Sequence, residues 1–303
     1  MNKRIWQWWI AGWAAALLLP AAAGAKGLAV ITGETLGPYR EAQEAFEHAI
    51  SQEVMTFNLK GSVEEGRRVF ESLADKRLDA VVLLGISAVR AAQQSTPAVP
   101  IIYTMVIEPQ ALPDAKKVAG LVMTVDTDSQ FSRIRKLLPS AKTAGVLYNP
   151  ADSEPLIQKA LAAAEKQGLK LVTAVVKEPE DAAMALQSLE GKKPDLIWSI
   201  PDKTAAHPQA FAVVNQFALD HKLPLIGISE YQVRAGAFAA FSVDYQDMGR
   251  QTADLVERLL GKQLQENVIL EYPRLIITFI NMETSKALGI ADVPAVPNIR
   301  MVR

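Results

Sequence analysis

The chain has 303 residues, half of them hydrophobic, and its 32 Lys and Arg residues nearly balance its 33 Asp and Glu residues. This is ordinary globular composition with enough apolar material for about two domains. It lacks the basic surplus that nucleic-acid binding requires. The absence of cysteine excludes disulfides, thiol catalysis, iron–sulfur clusters and cysteine zinc sites.

The first 25 residues have the three parts of a secretory signal peptide. Lys3 and Arg4 precede the apolar stretch IWQWWIAGWAAALLLP, and the small residues Ala23 and Ala25 precede a cleavage point before Lys26. An uncleaved anchor is the alternative, but the apolar run is short for the roughly 20 residues of a membrane span. We therefore expect export to a bacterial periplasm through a cleaved signal peptide. No lipid anchor is expected, because no cysteine is present to carry one.

Short runs rich in Val, Ile and Leu then alternate with helical patterns. In the first half, helices are predicted over 38–50, 62–77 and 87–95, and the predicted strands are GLAVITG, VMTFNL, DAVVLLG and VPIIYTMV. Continuous apolar runs are typical of parallel strands that are buried on both faces. Their alternation with helices predicts a doubly wound α/β sheet.

The same alternation starts again in the second half. Helices are predicted over 153–167, 180–190 and 205–221, and the predicted strands are TAGVLYNP, LKLVTAVV, DLIWSIPD, LPLIGIS and AFAAFSV. Two sheets of similar size, each with flanking helices, fit this pattern better than one large sheet. The predicted fold class is therefore α/β, with two doubly wound parallel-sheet lobes.

Two similar stretches mark the points where the chain passes between these lobes. Residues 123–140 and 241–262 each contain a strand that ends in Thr/Ser-Val-Asp, followed by a helix. With residues 268–280 they would form three crossing segments, and so a three-segment hinge. The resulting division is 1–25 signal peptide, 26–123 plus 245–265 lobe 1, 124–244 plus 266–290 lobe 2, and 291–303 tail.

The tripeptide Gly-Ile-Ser occurs twice at the end of a predicted strand, at 85–87 and at 227–229. Ligands of α/β sheets bind outside the carboxyl ends of the strands. The N–H groups at the start of a helix suit an acidic ligand group there. The alternative is that Ser87 and Ser229 only cap the helices that follow them.

No catalytic pattern accompanies these turns. The chain has no G-x-S-x-G nucleophile elbow, no G-x-G-x-x-G fingerprint and no Walker loop. Its three histidines, His48, His207 and His221, do not have the spacing of metal ligands. We expect neither an enzyme nor a bound metal or cofactor.

Aromatic and acidic residues recur at the predicted strand ends. The aromatic residues are Tyr103, Tyr148, Trp198, Tyr231 and Tyr245, and the acids are Glu34, Asp202, Glu230 and Asp244. Rings with a few polar groups are typical of a small-molecule pocket, and ring faces also attract ammonium groups. Core packing is the alternative for each ring, and helix capping is the alternative for Asp244.

Four stretches resemble the substrate-binding proteins of ABC transporters: ITGETLGPYREAQEAF, GISAVRAAQQSTPAVPIIYTMVIEP, GVLYNPADSEP and LPLIGISEYQVRAGAFAAFSVDYQDMGRQTADLVERLLGK. The similarity runs from Leu28 to about Ile290 and is most specific in the last stretch. It favours the branch with a type I periplasmic-binding fold whose members include binders of aromatic amino acids. The turn IPDKTAAHPQAF departs from the family, because it lacks a small Ser/Thr-rich turn.

The resemblance implies a periplasmic solute-binding protein that holds a small ligand, such as an aromatic amino acid, between its lobes. It would deliver this ligand to the permease and ATPase subunits of an ABC importer. A sensor component that feeds a membrane receptor kinase is the alternative, and an α/β hydrolase-type enzyme is less favoured. We expect a monomer. Taken with the strand-end aromatic residues, the expected ligand-binding residues are Thr32, Gly33, Ser87, Tyr103, Thr104, Tyr148, Asn149, Asp202, Ser229, Asp244 and Tyr245.

Overall fold

The computed structural model describes residues 27–95, 99–112, 115, 117–263, 266–290 and 296–303. The expected signal peptide, residues 1–25, lies outside this part of the chain. Within these ranges, no helix is long and apolar enough to cross a membrane.

Strands and helices alternate along the described residues. The strands are β1 Gly27–Thr32, β2 Val54–Asn58, β3 Leu78–Leu84, β4 Ile101–Val106, β5 Val118–Val122, β6 Thr143–Tyr148, β7 Lys170–Val175, β8 Leu196–Trp198, β9 Leu225–Gly227, β10 Ala239–Val243, β11 Val268–Glu271, β12 Ile276–Asn281 and β13 Ile299–Val302. The α-helices are α1 Gly37–Ala49, α2 Val63–Leu73, α3 Ile86–Ser95, α4 Thr127–Leu137, α5 Pro150–Lys166, α6 Ala182–Glu190, α7 Pro208–Asp220, α8 Glu230–Arg234, α9 Tyr245–Leu260 and α10 Met282–Ala287.

The first sheet has six strands in the order β11-β5-β4-β3-β1-β2, and all of its pairs are parallel. Alternate residues of β1 enter two different cores, because neighbouring side chains of a strand point to opposite faces. Leu28 and Val30 pack with residues of α1 and α9, whereas Ala29 and Ile31 pack with residues of α2 and α3. The sheet is therefore covered on both faces, as its continuous apolar strands predict.

Helices α1 and α9 pack closely against each other at Gly249. A Cβ atom at this position would lie only 2.1 Å from the carbonyl oxygen of Ala42. Any larger residue would have to push the two helices apart. The glycine that follows Asp247 and Met248 thus holds the beginning of α9 against the first lobe.

The second sheet has seven strands in the order β13-β12-β10-β9-β8-β6-β7. Its pairs are parallel except for β10 with β12. Val146 of β6 faces a core shared with α4 and α5, and Leu147 faces the core formed with α6 and α7. This sheet too lies between two layers of helices.

The chain passes between the two sheets three times. Residues 123–126 join β5 to α4, residue 244 joins β10 to α9, and residues 272–275 join β11 to β12. The predicted fold class is confirmed: two α/β lobes, mostly parallel, are connected by three segments.

Two strands differ from the sequence-based division. Residues 266–290 were assigned to the second lobe, yet Val268–Glu271 pairs with β5 in the first sheet. The pairing is favoured because β5 would otherwise expose its edge, and Ile269 packs against the first lobe's core. The segment 291–303, predicted to be a tail, contains Ile299–Val302, which pairs with β12.

Candidate ligand-binding cleft

The carboxyl ends of the parallel strands in both sheets lie at the hinge. The crossings leave the first lobe from the ends of β5 and β11, and they leave the second lobe from the end of β10. Turns that follow the other parallel strands lie along the same two edges. Because ligands of α/β sheets bind outside such edges, the space beside the crossings is the candidate cleft.

The first-lobe edge brings Glu34, Tyr39 and Ser87 together. The Ser87 hydroxyl donates a hydrogen bond of 2.6 Å to Glu34 Oε1. Two glycines allow this close packing. A Cβ atom on Gly33 would lie 2.9 Å from the amide nitrogen of Ala88, and one on Gly85, whose φ is +92°, would lie 2.7 Å from the Tyr39 ring.

Tyr39 and Tyr245 form the aromatic part of this site. Burial raises the pKa of the Tyr39 phenol, and the negative charge of Glu34 and the nearby Tyr245 raise it further. Burial also raises the pKa of Tyr245; a hydrogen bond with Ser242 lowers it, while Glu41 and Glu230 raise it. Both phenols thus lie in a desolvated, electronegative environment. We call Glu34, Tyr39, Ser87, Glu230 and Tyr245 the acidic–aromatic cluster.

Glu34 carries the uncompensated charge of this cluster. Glu230 forms an ion pair of 2.6 Å with Arg234 one turn along α8. Among the described residues, no Lys, Arg or His lies within ion-pair distance of Glu34, whose carboxylate accepts only the Ser87 hydroxyl. The structure therefore presents an unpaired carboxylate beside the half-buried Tyr39, which in turn lies near Tyr245.

On the second-lobe edge, Asp202 organises the turns that follow β6 and β8. Its two carboxylate oxygens accept hydrogen bonds from four donors at 2.7–2.9 Å: the backbone N–H groups of Asn149, Thr204 and Ala205, and the Ser153 hydroxyl. These bonds fill the acceptor positions of a carboxylate, and the side chain is 3% exposed. We assign Asp202 a structural role instead of the ligand-binding role expected from the sequence.

Three other expected ligand residues begin helices. Asn149 accepts the N–H of Ala151 at the start of α5 and donates to Thr204 Oγ1. Ser229 caps α8. Asp244 caps α9 by accepting the N–H of Asp247 at 2.9 Å. Asp244 also lies 3.6 Å from Arg300 of β13. Capping thus explains all three residue types at these positions.

The remaining expected residues are mostly buried. Tyr103 is 3% exposed and its hydroxyl accepts the N–H of Gln110, whereas Tyr148 donates to Glu154. Thr32 donates to Gln43, and the buried Thr104 hydroxyl has no partner among the described residues. Of the two other strand-end rings considered, Trp198 is buried and donates to Gln130, while Tyr231 is 75% exposed.

The structure thus groups Thr32, Gly33 and Ser87 at one edge, and Asn149 with Asp202 at the other. Tyr39 was not expected at the ligand site; it lies beside Gly85, at the end of β3, because α1 folds back over the sheet. Glu34 and Glu230 were expected as acids at strand ends but not as ligand-binding residues. The signal available for Glu34 was its position directly after the Thr-Gly turn of β1.

Residues 43–296 match the family described as ABC transporter substrate binding protein. The chain belongs to the ABC transporter substrate-binding protein family. Its members bind small molecules for transport and are not enzymes, as expected from the missing catalytic patterns. No group of His, Asp or Glu side chains that could hold a metal occurs in the part of the chain that the structure describes.

Individual relatives agree with this assignment. The chain is 27% identical over 241 residues to a tyrosine-binding protein of Clostridioides difficile (strain R20291), covering 76% of this chain and 68% of the relative. It superimposes with a TM-score of 0.76, at 21% identity, on the ligand-free, open structure of a substrate-binding protein with adhesive properties from Clostridium difficile, covering 92% and 99% of the two chains. It also superimposes on a Streptococcus pneumonia protein in complex with L-Trp, with a TM-score of 0.56 and 20% identity. This match covers 90% of this chain and 100% of the other.

Proposed function

We propose that this protein captures an amino acid with an aromatic side chain between its lobes and delivers it to an ABC importer. The observation that carries the proposal is the unpaired carboxylate of Glu34 beside Tyr39, whose phenol also lies near Tyr245. A carboxylate in a partly desolvated site binds an ammonium group by charge-assisted hydrogen bonds. Tyrosine faces attract the same cation and also pack against an aromatic side chain.

The relatives point to the same ligand class. One of them is a tyrosine-binding protein, and another was solved with L-Trp. Both ligands combine an ammonium group with an aromatic ring, which are the two features that the acidic–aromatic cluster could recognise. An aromatic amino acid is therefore the ligand to test first.

The proposed mechanism is closure of the two lobes about the three crossings. Glu34, Tyr39 and Ser87 belong to the first lobe, whereas Glu230 follows a strand of the second. A ligand that contacts both sides only when the lobes approach binds the closed state more tightly, and it shifts the population toward that state. The importer would then recognise the closed form. Delivery from the periplasm, after removal of the signal peptide, belongs to the same proposal.

The test is calorimetric titration of L-tyrosine, L-tryptophan and glycine into the wild-type protein and a Glu34→Gln variant. We expect the aromatic amino acids to bind and glycine to bind much more weakly. The side-chain amide of the variant can still accept the Ser87 hydroxyl, but the negative charge is lost. Affinity for the aromatic amino acids should therefore fall about 10- to 100-fold, the usual effect of losing a hydrogen bond to a charged group.

Glu44→Gln is the matched control, because Glu44 is an exposed acid of the same lobe whose only ion pair among the described residues, with Arg40, spans 3.9 Å. It should bind like the wild type. Equal affinity of the Glu34→Gln and wild-type proteins would contradict the role of Glu34. Failure of every aromatic amino acid to bind would contradict the proposed ligand class.

A further inference from the structure

The second lobe carries a polar groove that shares no residue with the candidate cleft. Its volume is about 380 Å³, and it lies between the outer face of α4, the turn after α5 and the segment before β13. The lining residues are Asp128, Ser129, Ser132, Arg133, Lys136, Gln167 and Pro297. This size is within the range of small-molecule sites.

Arg133 is the central group of this groove. Its guanidinium donates two long hydrogen bonds, each 3.3 Å, to the Thr278 hydroxyl and to the carbonyl of Pro297. Burial lowers the pKa of Arg133. Among the described residues, no carboxylate lies within ion-pair distance of it. A partly buried guanidinium has five N–H donors, so Arg133 has donors left for an anion.

Lys136 adds a second positive charge to the groove, and Ser129 and Ser132 add hydroxyl groups. Ser129, Ser132 and Lys136 lie on the same face of α4 as Arg133, since residues three or four apart are neighbours on a helix. The opposite face is buried in the second lobe. The one acid, Asp128, forms an ion pair of 2.9 Å with Lys166. The groove therefore offers two cations, Arg133 and Lys136, whose charges have no described counter-ion.

We propose that this groove binds a small, multiply charged oxyanion, either a phosphate or a polycarboxylate. The planar guanidinium of Arg133 would bind two oxygens at once. Lys136 would supply the second charge, and the hydroxyls of Ser129 and Ser132 would donate to further oxygens. Arg133 also contacts β12 and the segment before β13, so the anion would stabilise the docking of the C-terminal strand.

The test uses inorganic pyrophosphate and citrate as probes of the two anion types. Each is titrated into the wild-type protein by calorimetry and in thermal unfolding, at an ionic strength held constant with NaCl. We expect saturable binding and a rise in Tm beyond that in NaCl alone. Lys136→Gln, which changes an exposed side chain, should weaken binding about tenfold. Arg133→Gln should weaken it further, and Lys159→Gln, a change at an exposed lysine of α5, should have no effect.

Absence of a specific response to either probe in the wild-type protein would overturn the proposal, as would an unchanged response in Lys136→Gln. Asp292 lies outside the described residues but close to Pro297 in sequence. A response that appears only in an Asp292→Asn variant would mean that the chain supplies its own counter-ion, and it would also overturn the proposal. Binding of L-tyrosine should be the same in all groove variants, so the proposed function succeeds or fails separately.

Discussion

At the scale of single residues, the structure separates side chains that hold the cleft together from side chains that are free to meet a ligand. Asp202 and Glu34 look alike in the sequence, because each is an acid at or directly after the end of a predicted strand. Four protein donors occupy the carboxylate of Asp202, but a single hydroxyl contacts that of Glu34. The difference depends on donors such as Asn149, which is 53 residues from Asp202 in the sequence. Local sequence could not reveal it.

The structural role of Asp202 predicts a large loss of stability on its removal. Asp202→Ala would leave the N–H groups of Asn149, Thr204 and Ala205, which are buried or partly buried, without their acceptors. The free energy of unfolding, measured in urea, should fall by about 3 kcal/mol or more. Asp220→Ala, which removes an exposed acid at the end of α7, should change it by less than about 0.5 kcal/mol. A stable Asp202→Ala protein that no longer binds an aromatic amino acid would instead assign this carboxylate to the ligand.

The alternation of side chains between the two faces of a strand also limited the prediction of ligand-binding residues. Tyr103 and Thr104 were both expected to contact the ligand, although adjacent residues of a strand point to opposite faces. The ring of Tyr103 lies in the core beneath α2 and α3, next to Gly120. Thr104 lies at the same strand end but is 1% exposed. A position near the end of a strand therefore predicts the edge of the sheet at which a residue lies, but not whether its side chain is exposed there.

At the scale of elements, the third crossing is fixed to the first lobe. Arg274 donates to both carboxylate oxygens of the buried Asp247, at 3.0 and 3.2 Å, and also pairs with Asp254. Gln251 accepts the N–H of Arg274 and donates to the carbonyl of Tyr272. Asp247, Gln251 and Asp254 all belong to α9. Bending of this crossing must therefore occur after Arg274, at the start of β12.

This fixation makes a prediction for Arg274→Ala. Among the described residues, Asp247 would keep only the weaker contact with Arg250, at 3.4 Å, and the crossing would lose its main link to α9. Stability should fall by about 1–2 kcal/mol, less than for a fully buried pair because Arg274 is half exposed. Hydrogen exchange should accelerate at 272–275. Arg40→Ala, at an exposed pair, should change neither quantity, and unchanged exchange in Arg274→Ala would rule out the fixation.

Most helices and strands could be predicted from the sequence, because local signals such as helix caps and apolar runs agree with one another. Ser62, Asp126 and Asn281 each accept an N–H of the first helical turn, and such caps are readable from sequence. The sheet assignment of β11 was not readable in the same way. Its four residues could extend either sheet, and the choice depends on the free edge of β5, about 150 residues earlier in the chain.

At the scale of the whole molecule, the repetition of α/β units predicted two lobes, and the three crossings place both carboxyl edges at one hinge. The proposed function requires these edges to approach each other when a ligand binds. One interaction between the lobes is already present: Glu230 of the second lobe raises the pKa of Tyr245 at the start of α9. Closure would bring that acid and the first-lobe residues around one ligand.

The central claim is that an aromatic amino acid closes the two lobes, and small-angle X-ray scattering tests it most directly. The radius of gyration is measured for the protein alone, with saturating L-tyrosine or L-tryptophan, and with glycine as the control. We predict a smaller radius with the aromatic amino acids and no change with glycine, with a smaller decrease in Glu34→Gln at a ligand concentration that just saturates the wild type. An unchanged radius in a sample that calorimetry shows to be saturated would contradict closure.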